Sequence, residues 1–107
     1  MATTCNWPIE NNQTLEFTIY DPDTKWNSVG GLYIFARRTD ATHWVAEYVG
    51  ETDDFSSRLS YHERWYEATQ RGATHIHARA VQQAASRVAW EKALIQNLQP
   101  PLNDHHK

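Results

Sequence analysis

Cysteine, glycine and long apolar runs are scarce in this sequence, and each shortage excludes something. One cysteine, Cys5, leaves no partner for an internal disulfide, so a reducing, cytoplasmic setting is expected and the thiol is read as inert. No stretch reaches the roughly 18 consecutive apolar residues of a membrane span, so no membrane partner is expected. The opening MATTCNWPIENN lacks a basic segment followed by an apolar one and is not read as a signal peptide. A Gly-rich phosphate loop is missing, as is any serine or cysteine placed like a nucleophile. Excess positive charge is missing too, since the net charge is −3, whereas affinity for phosphate comes largely from Lys and Arg. That acidic excess is local. Residues 1–29 hold Glu10, Glu16, Asp21 and Asp23 against Lys25 alone, and the rest of the chain is balanced, which leaves room for a basic surface elsewhere.

What is present fits one domain, since 107 residues form a single core and no more. Residues 1–13 are polar and expected to be a flexible terminus, with the domain spanning 14–104 and a polar tail following Asn103. Leu15, Phe17 and Ile19 alternate with Glu16, Thr18 and Tyr20, which predicts a strand. After the turn-rich DPDTKWNSVGG, the runs Leu32 to Arg37 and Trp44 to Val49 predict a hairpin. Asp53 and Asp54 are placed to cap a helix reaching about Gln70, and THIHARAV alternates again as a strand. A last helix runs from Gln82 or Ala84 to Gln99, where Pro100-Pro101 stops it. The order β, ββ, α, β, α implies an α+β domain, a small mixed or antiparallel sheet carrying helices.

Several polar residues fall where apolar ones belong. If Arg37 faces Trp44 across the hairpin loop, Tyr33 faces Tyr48 on the same side of the sheet, and a one-residue slip would separate them. Phe55, Leu59, His62 and Tyr66 form a stripe on the first helix, with Arg58 beside or within it. In the last helix Glu91 interrupts the stripe Ala84, Val88, Ile95, Leu98. A buried carboxylate needs a partner: Arg87 one turn earlier, an arginine elsewhere, a proton, or a hard cation such as magnesium. His75 and His77 share one strand face, which suits metal ligation, although no further ligand follows at a zinc spacing and a solvated face is the simpler account. Trp26 and Trp65 are placed to flank a cleft.

Gly31-Leu32-Tyr33, Tyr48-Val49-Gly50, Arg58 ten residues after Tyr48, His62 four after that, Glu91 and Asn103 form an ordered set that resembles the GIY-YIG nuclease family over residues 30–103. Leu32 and Val49 replace the isoleucines of the family name, and Glu51 places a negative charge near where phosphate should lie. The resemblance implies a compact, largely antiparallel sheet of three or four strands flanked by helices. It implies hydrolysis of DNA phosphodiester bonds, with Mg²⁺ or Mn²⁺, to 5′-phosphate and 3′-hydroxyl ends, by a monomer or homodimer acting on single-stranded, branched or duplex DNA. By position, Glu91 would ligate the metal, Arg58 would bind phosphate, Tyr48 or Tyr33 would help deprotonate water, and His62 would relay a proton or touch phosphate. Gly31 and Gly50 would permit close approach and Asn103 would brace the end of the last helix. Arg37, Trp65, His75 and His77 are further candidates for nucleic-acid contact. The competing expectation is a catalytically silent nucleic-acid-binding or regulatory module of the same fold.

Overall fold

Alternating side chains and tight turns build most of the molecule's sheet. The computed structural model describes residues 3–103, so the polar tail lies outside them. Five strands, β1 (Thr4–Pro8), β2 (Thr14–Tyr20), β3 (Gly31–Arg38), β4 (Trp44–Thr52) and β5 (His75–Ala80), pair antiparallel in the order β1-β2-β5-β3-β4. Three or four strands were expected, and the fifth is β1, within the segment expected to be flexible. Asn11 and Asn12 both take positive φ, 57° and 61°, which asparagine tolerates in a two-residue hairpin turn. The turn folds β1 back on β2 and buries Trp7 opposite Leu15.

The β3–β4 hairpin departs from the expected register twice. Arg38, not Arg37, faces Trp44, a slip of one. A bulge between Phe35 and Ala36 then leaves Glu47 as an extra residue on β4, so that Phe35 faces Tyr48 and Tyr33 faces Gly50. Two slips of one residue restore parity, so Tyr33 and Tyr48 stay on the same face. Glu47 is fully buried. Its carboxylate accepts from Arg37 Nε at 2.9 Å and Arg71 Nε at 2.6 Å, while its carbonyl accepts from the Leu102 amide at 3.0 Å.

The helix expected up to Gln70 is broken into α1 (Phe55–Arg58) and α2 (Trp65–Gln70). Asp54 does cap α1, accepting from the Ser56 amide at 2.9 Å. The break follows from side chains competing for backbone groups. Ser60 Oγ donates to the Ser56 carbonyl, and the Arg64 amide donates to His62 Nδ1 at 3.0 Å rather than continuing the helix. His62 is thereby turned inward, while Tyr66, expected on the same stripe, is 70% exposed.

The third helix, α3 (Ala84–Leu98), also turns its face differently from the expected stripe: Val88 is exposed, and Arg87 and Leu94 are buried. Arg87 Nη1 donates to the carbonyls of Val81 and Gln82, so an arginine occupies a core position at the helix start. Leu94 and Ala93 belong to a core with Trp7, Phe17, Ile34 and Val49. On the other face Phe55 and Ala68 cover Tyr33, Phe35, Ile76 and Ala78. Among the described residues no helix is long and apolar enough to cross a membrane.

Candidate active site

β3 and β4 set Tyr33, Phe35 and Tyr48 on one face, and the α1–α2 connection lowers His62 onto them. The two phenol rings lie 6.3 Å apart between centroids, and His62 stands edge-on to both, at 5.4 Å from Tyr33 and 5.2 Å from Tyr48. The glycines make room for this packing. A Cβ at Gly50 would collide with the Tyr33 ring, and one at Gly31 would collide with the Phe55 ring and the Arg79 carbonyl. Close approach is therefore required at both positions, by side chains and backbone of the protein itself.

Hydrogen bonding fixes the imidazole. Because the Arg64 amide donates to Nδ1, the neutral ring carries its proton on Nε2 and donates it to the Tyr33 oxygen at 2.8 Å. Burial, aided by the Arg58 charge, lowers the His62 pKa to about 4, so the ring is neutral at pH 7. Burial, then the neighbouring Tyr48, pushes the Tyr33 phenol well above its ordinary range, with Arg58 pulling the other way. Tyr48 is also raised by burial and lowered by Arg58, less buried than Tyr33, and its hydroxyl has no hydrogen-bond partner among the described residues. Arg58 itself is engaged by Glu63 through two bonds of 2.8 Å, Nη1 to Oε1 and Nη2 to Oε2.

Glu91 is half-buried on α3, and the pairing with Arg87 considered for it is not made. Arg87 Nε instead bonds Glu51 Oε1 at 3.2 Å, which also accounts for the acidic residue after Tyr48-Val49-Gly50. Glu91 has no ion-pair partner among the described residues. Burial and then the Glu51 charge raise its pKa, and its own charge in turn raises both tyrosines. A half-buried carboxylate with no cation paired to it among the described residues, beside a second carboxylate, fits a divalent ion. Among the described residues no group of three or more His, Cys, Asp or Glu converges, so any such ion would take one or two carboxylates and keep several waters, as magnesium does.

The remaining candidates divide. Asn103 braces β4 rather than a helix end: its Oδ1 accepts from the Val49 amide and its Nδ2 donates to the Val49 carbonyl, both at 2.8 Å. Arg37 is tied to Glu47. His75 sits half-buried beside Asp21 and edge-on to Trp44. His77 is fully buried, accepting from Trp7 Nε1 at 3.0 Å, which puts it out of reach of a DNA strand, and among the described residues no group of three or more metal-ligating side chains includes it and His75. Trp65 is half-buried, edge-on to Phe35 at 4.9 Å. Trp26 packs on Tyr20 and Phe55. Sequence reasoning passed over Glu47, Glu63 and the buried role of Arg87. A glutamate inside the apolar run WVAEYVG was the available signal for Glu47; nothing local marked Glu63, five residues from Arg58 across a helix break.

No protein-family model matches the chain, and no curated protein matches it at a significant level. Solved structures do. A point mutant of the GIY-YIG N-terminal endonuclease domain of UvrC from Thermotoga maritima, bound to its catalytic divalent cation, aligns with TM-score 0.62 at 21% identity over 75% of this chain and 88% of that one. A second point mutant aligns with TM-score 0.62 at 20% identity over the same shares. The magnesium-bound domain aligns with TM-score 0.61 at 21% identity over 74% and 88%. The fold of this chain is thus that of a GIY-YIG nuclease domain.

Proposed function

We propose that this GIY-YIG-like domain is a divalent-metal-dependent endonuclease that hydrolyses phosphodiester bonds in DNA, leaving 5′-phosphate and 3′-hydroxyl ends. The observation that carries the reading is the convergence of two phenols, a neutral imidazole and a guanidinium beside the carboxylate of Glu91, which has no ion-pair partner among the described residues. Solved domains of the same fold that hold a catalytic divalent cation support it.

Glu91, with Glu51 beside it, would hold the ion. Bound there, the ion would supply Lewis-acid stabilisation of the scissile phosphate and the leaving 3′ oxygen. Arg58 pairs with a non-bridging phosphate oxygen and neutralises the charge that grows there as water adds to phosphorus, a task suited to a planar guanidinium. To do so it exchanges the Glu63 carboxylate for phosphate. Tyr48 is the better placed of the two phenols to take the proton of the attacking water, because its hydroxyl is unengaged whereas the Tyr33 oxygen already accepts from His62. A phenol is protonated at pH 7, so this role depends on the positive charge that Arg58 provides. His62, neutral and pinned at both nitrogens, orients Tyr33 rather than acting as the base.

The test is incubation of labelled single-stranded, branched and duplex DNA with the folded protein in magnesium or manganese, with and without chelator, beside Glu91→Gln. Cleavage is expected only with metal and only with Glu91, the variant losing at least about a hundredfold, the scale of one electrostatic contact to a transition state. Turnover retained by Glu91→Gln removes the ligand role. Binding without any cleavage favours the catalytically silent module.

A further inference from the structure

Beside the candidate site, on the same sheet face, lies a hollow of about 260 Å³. Its floor is Phe35, its walls are Pro22 from the β2–β3 loop, Tyr61 and His62 from the α1–α2 connection, and Trp65 and Tyr66 from α2. The volume falls below the roughly 300–1,000 Å³ of pockets for drug-sized ligands and suits one planar ring system. Two of the walls are conspicuously unused by the fold. Tyr61 is 85% exposed and Tyr66 70% exposed, and among the described residues neither ring stacks on another, although nine other aromatic rings in this protein pair with neighbours or histidines. Exposed aromatics rimming an apolar hollow mark a binding surface more often than a packing one.

The chemistry of the hollow separates it from the phosphate site. No lysine or arginine lines it, so it does not recognise an anion, and its acidic member, Glu63, is already engaged with Arg58. Yet it is continuous with that site. His62 both lines the hollow and donates to Tyr33, and Glu63 both lines it and holds Arg58. A phosphate at Arg58 therefore brings the base of an adjoining nucleotide to the mouth of an aromatic slot.

We infer that this hollow is a nucleobase subsite, which receives one unpaired base stacked against Tyr61, Trp65 and Tyr66 while the adjoining phosphate engages Arg58. The inference rests on the nuclease reading above and sharpens its substrate class. A base paired within a duplex cannot enter such a slot without leaving its stack, so single-stranded, mismatched or branched DNA is favoured over perfect duplex. Because every base presents a π-face, the subsite selects unpaired structure more than base identity.

The experiment uses the full chain carrying Glu91→Gln, so that DNA is not cut, and measures its affinity for short labelled single strands in which one abasic residue is walked through the sequence. Loss of the base at one position is expected to weaken binding on the order of five- to a hundredfold, the range of a single base–aromatic stack. Adding Tyr61→Ala is expected to erase the penalty at that position and leave the others, whereas Tyr61→Phe preserves it. Both substitutions are at an exposed ring, and folding is confirmed by circular dichroism. A flat abasic scan, or a local penalty that survives both Tyr61→Ala and Tyr66→Ala, overturns the subsite. If the native chain still cleaves DNA in that case, the nuclease reading stands without it. If the folded native chain neither binds nor cuts any DNA, both fail together.

Discussion

Arg58 lies among the candidate site residues, yet both of its terminal nitrogens are bonded to a carboxylate of the same chain. Glu63 is 63% exposed and Arg58 33%, and ion pairs this open to water contribute up to about 1 kcal/mol. A phosphate can therefore displace Glu63 at little expense. Glu63→Gln should raise kcat/KM at low salt by no more than about fivefold, and single-turnover cleavage would show it; an unchanged or lower value means that Glu63 positions Arg58 rather than competing for it. Tyr33 and His62 behave differently because both are buried. Tyr33→Phe strands the His62 Nε2 proton without an acceptor and should destabilise the protein by about 1–3 kcal/mol, read by urea denaturation, with activity lowered but not abolished if Tyr48 is the base. Loss of all turnover in a folded Tyr33→Phe protein would transfer the proton-accepting role to Tyr33. The identities of these residues were legible in the chain. Their hydrogen-bond partners were not, because Glu63 and Arg64 reach the site only through a break in the helix that the apolar spacing did not reveal.

Among the elements, the β3–β4 hairpin decides whether the two tyrosines of the candidate site meet at all. Its loop sets Arg38 against Trp44, a register that without further change would leave Tyr48 on the face opposite Tyr33. The extra residue at the bulge, Glu47, turns the strand and brings Tyr48 back. Glu47 is anchored by Arg37 and Arg71 and, through its carbonyl, by Leu102. Glu47→Gln keeps the volume and removes the charge. It should cost about 1–3 kcal/mol, less than a fully buried pair because both arginines can turn to water, and it should lower kcat more than substrate affinity by loosening Tyr48. If the variant is destabilised but its kcat is unchanged, the bulge is held by the backbone alone. The spacing of Tyr33 and Tyr48 suggested that they share a face; the reason they do was absent from that argument, which placed them opposite each other.

Across the whole molecule, two neutral imidazoles lie in the two cores, His62 on the site face and His77 in the core under α3, each with a pKa lowered by burial to about 4. A histidine whose folded pKa lies below its unfolded value of about 6.5 binds more protons when unfolded. The stability that each contributes is present above pH 6.5 and is lost as pH falls towards 4. Glu91, whose pKa is raised, works in the opposite sense, while the lowered carboxylates Asp40 and Glu63, at about 2, add to the decline only from about pH 5 downwards, so the interval above pH 5 reports the imidazoles. The melting temperature should therefore decline steadily from about pH 6.5 to pH 4, by differential scanning calorimetry at constant ionic strength. A flat profile over that interval would mean that neither imidazole is held neutral.

The sequence by itself determined which residues are chemically costly to keep. Glycine two positions from tyrosine, a glutamate on an apolar helix face and an arginine and histidine near a stripe are local facts, and the strand alternation around them is set by neighbours one and two positions away. Tertiary structure decided how those residues meet. Whether Arg87 serves Glu91 or Glu51, whether Glu47 forces a bulge, and whether His62 faces inward depend on groups between two and several tens of positions apart in the chain. Their geometry is settled by competition among hydrogen bonds, ion pairs and packing that only the folded chain brings within a few ångströms.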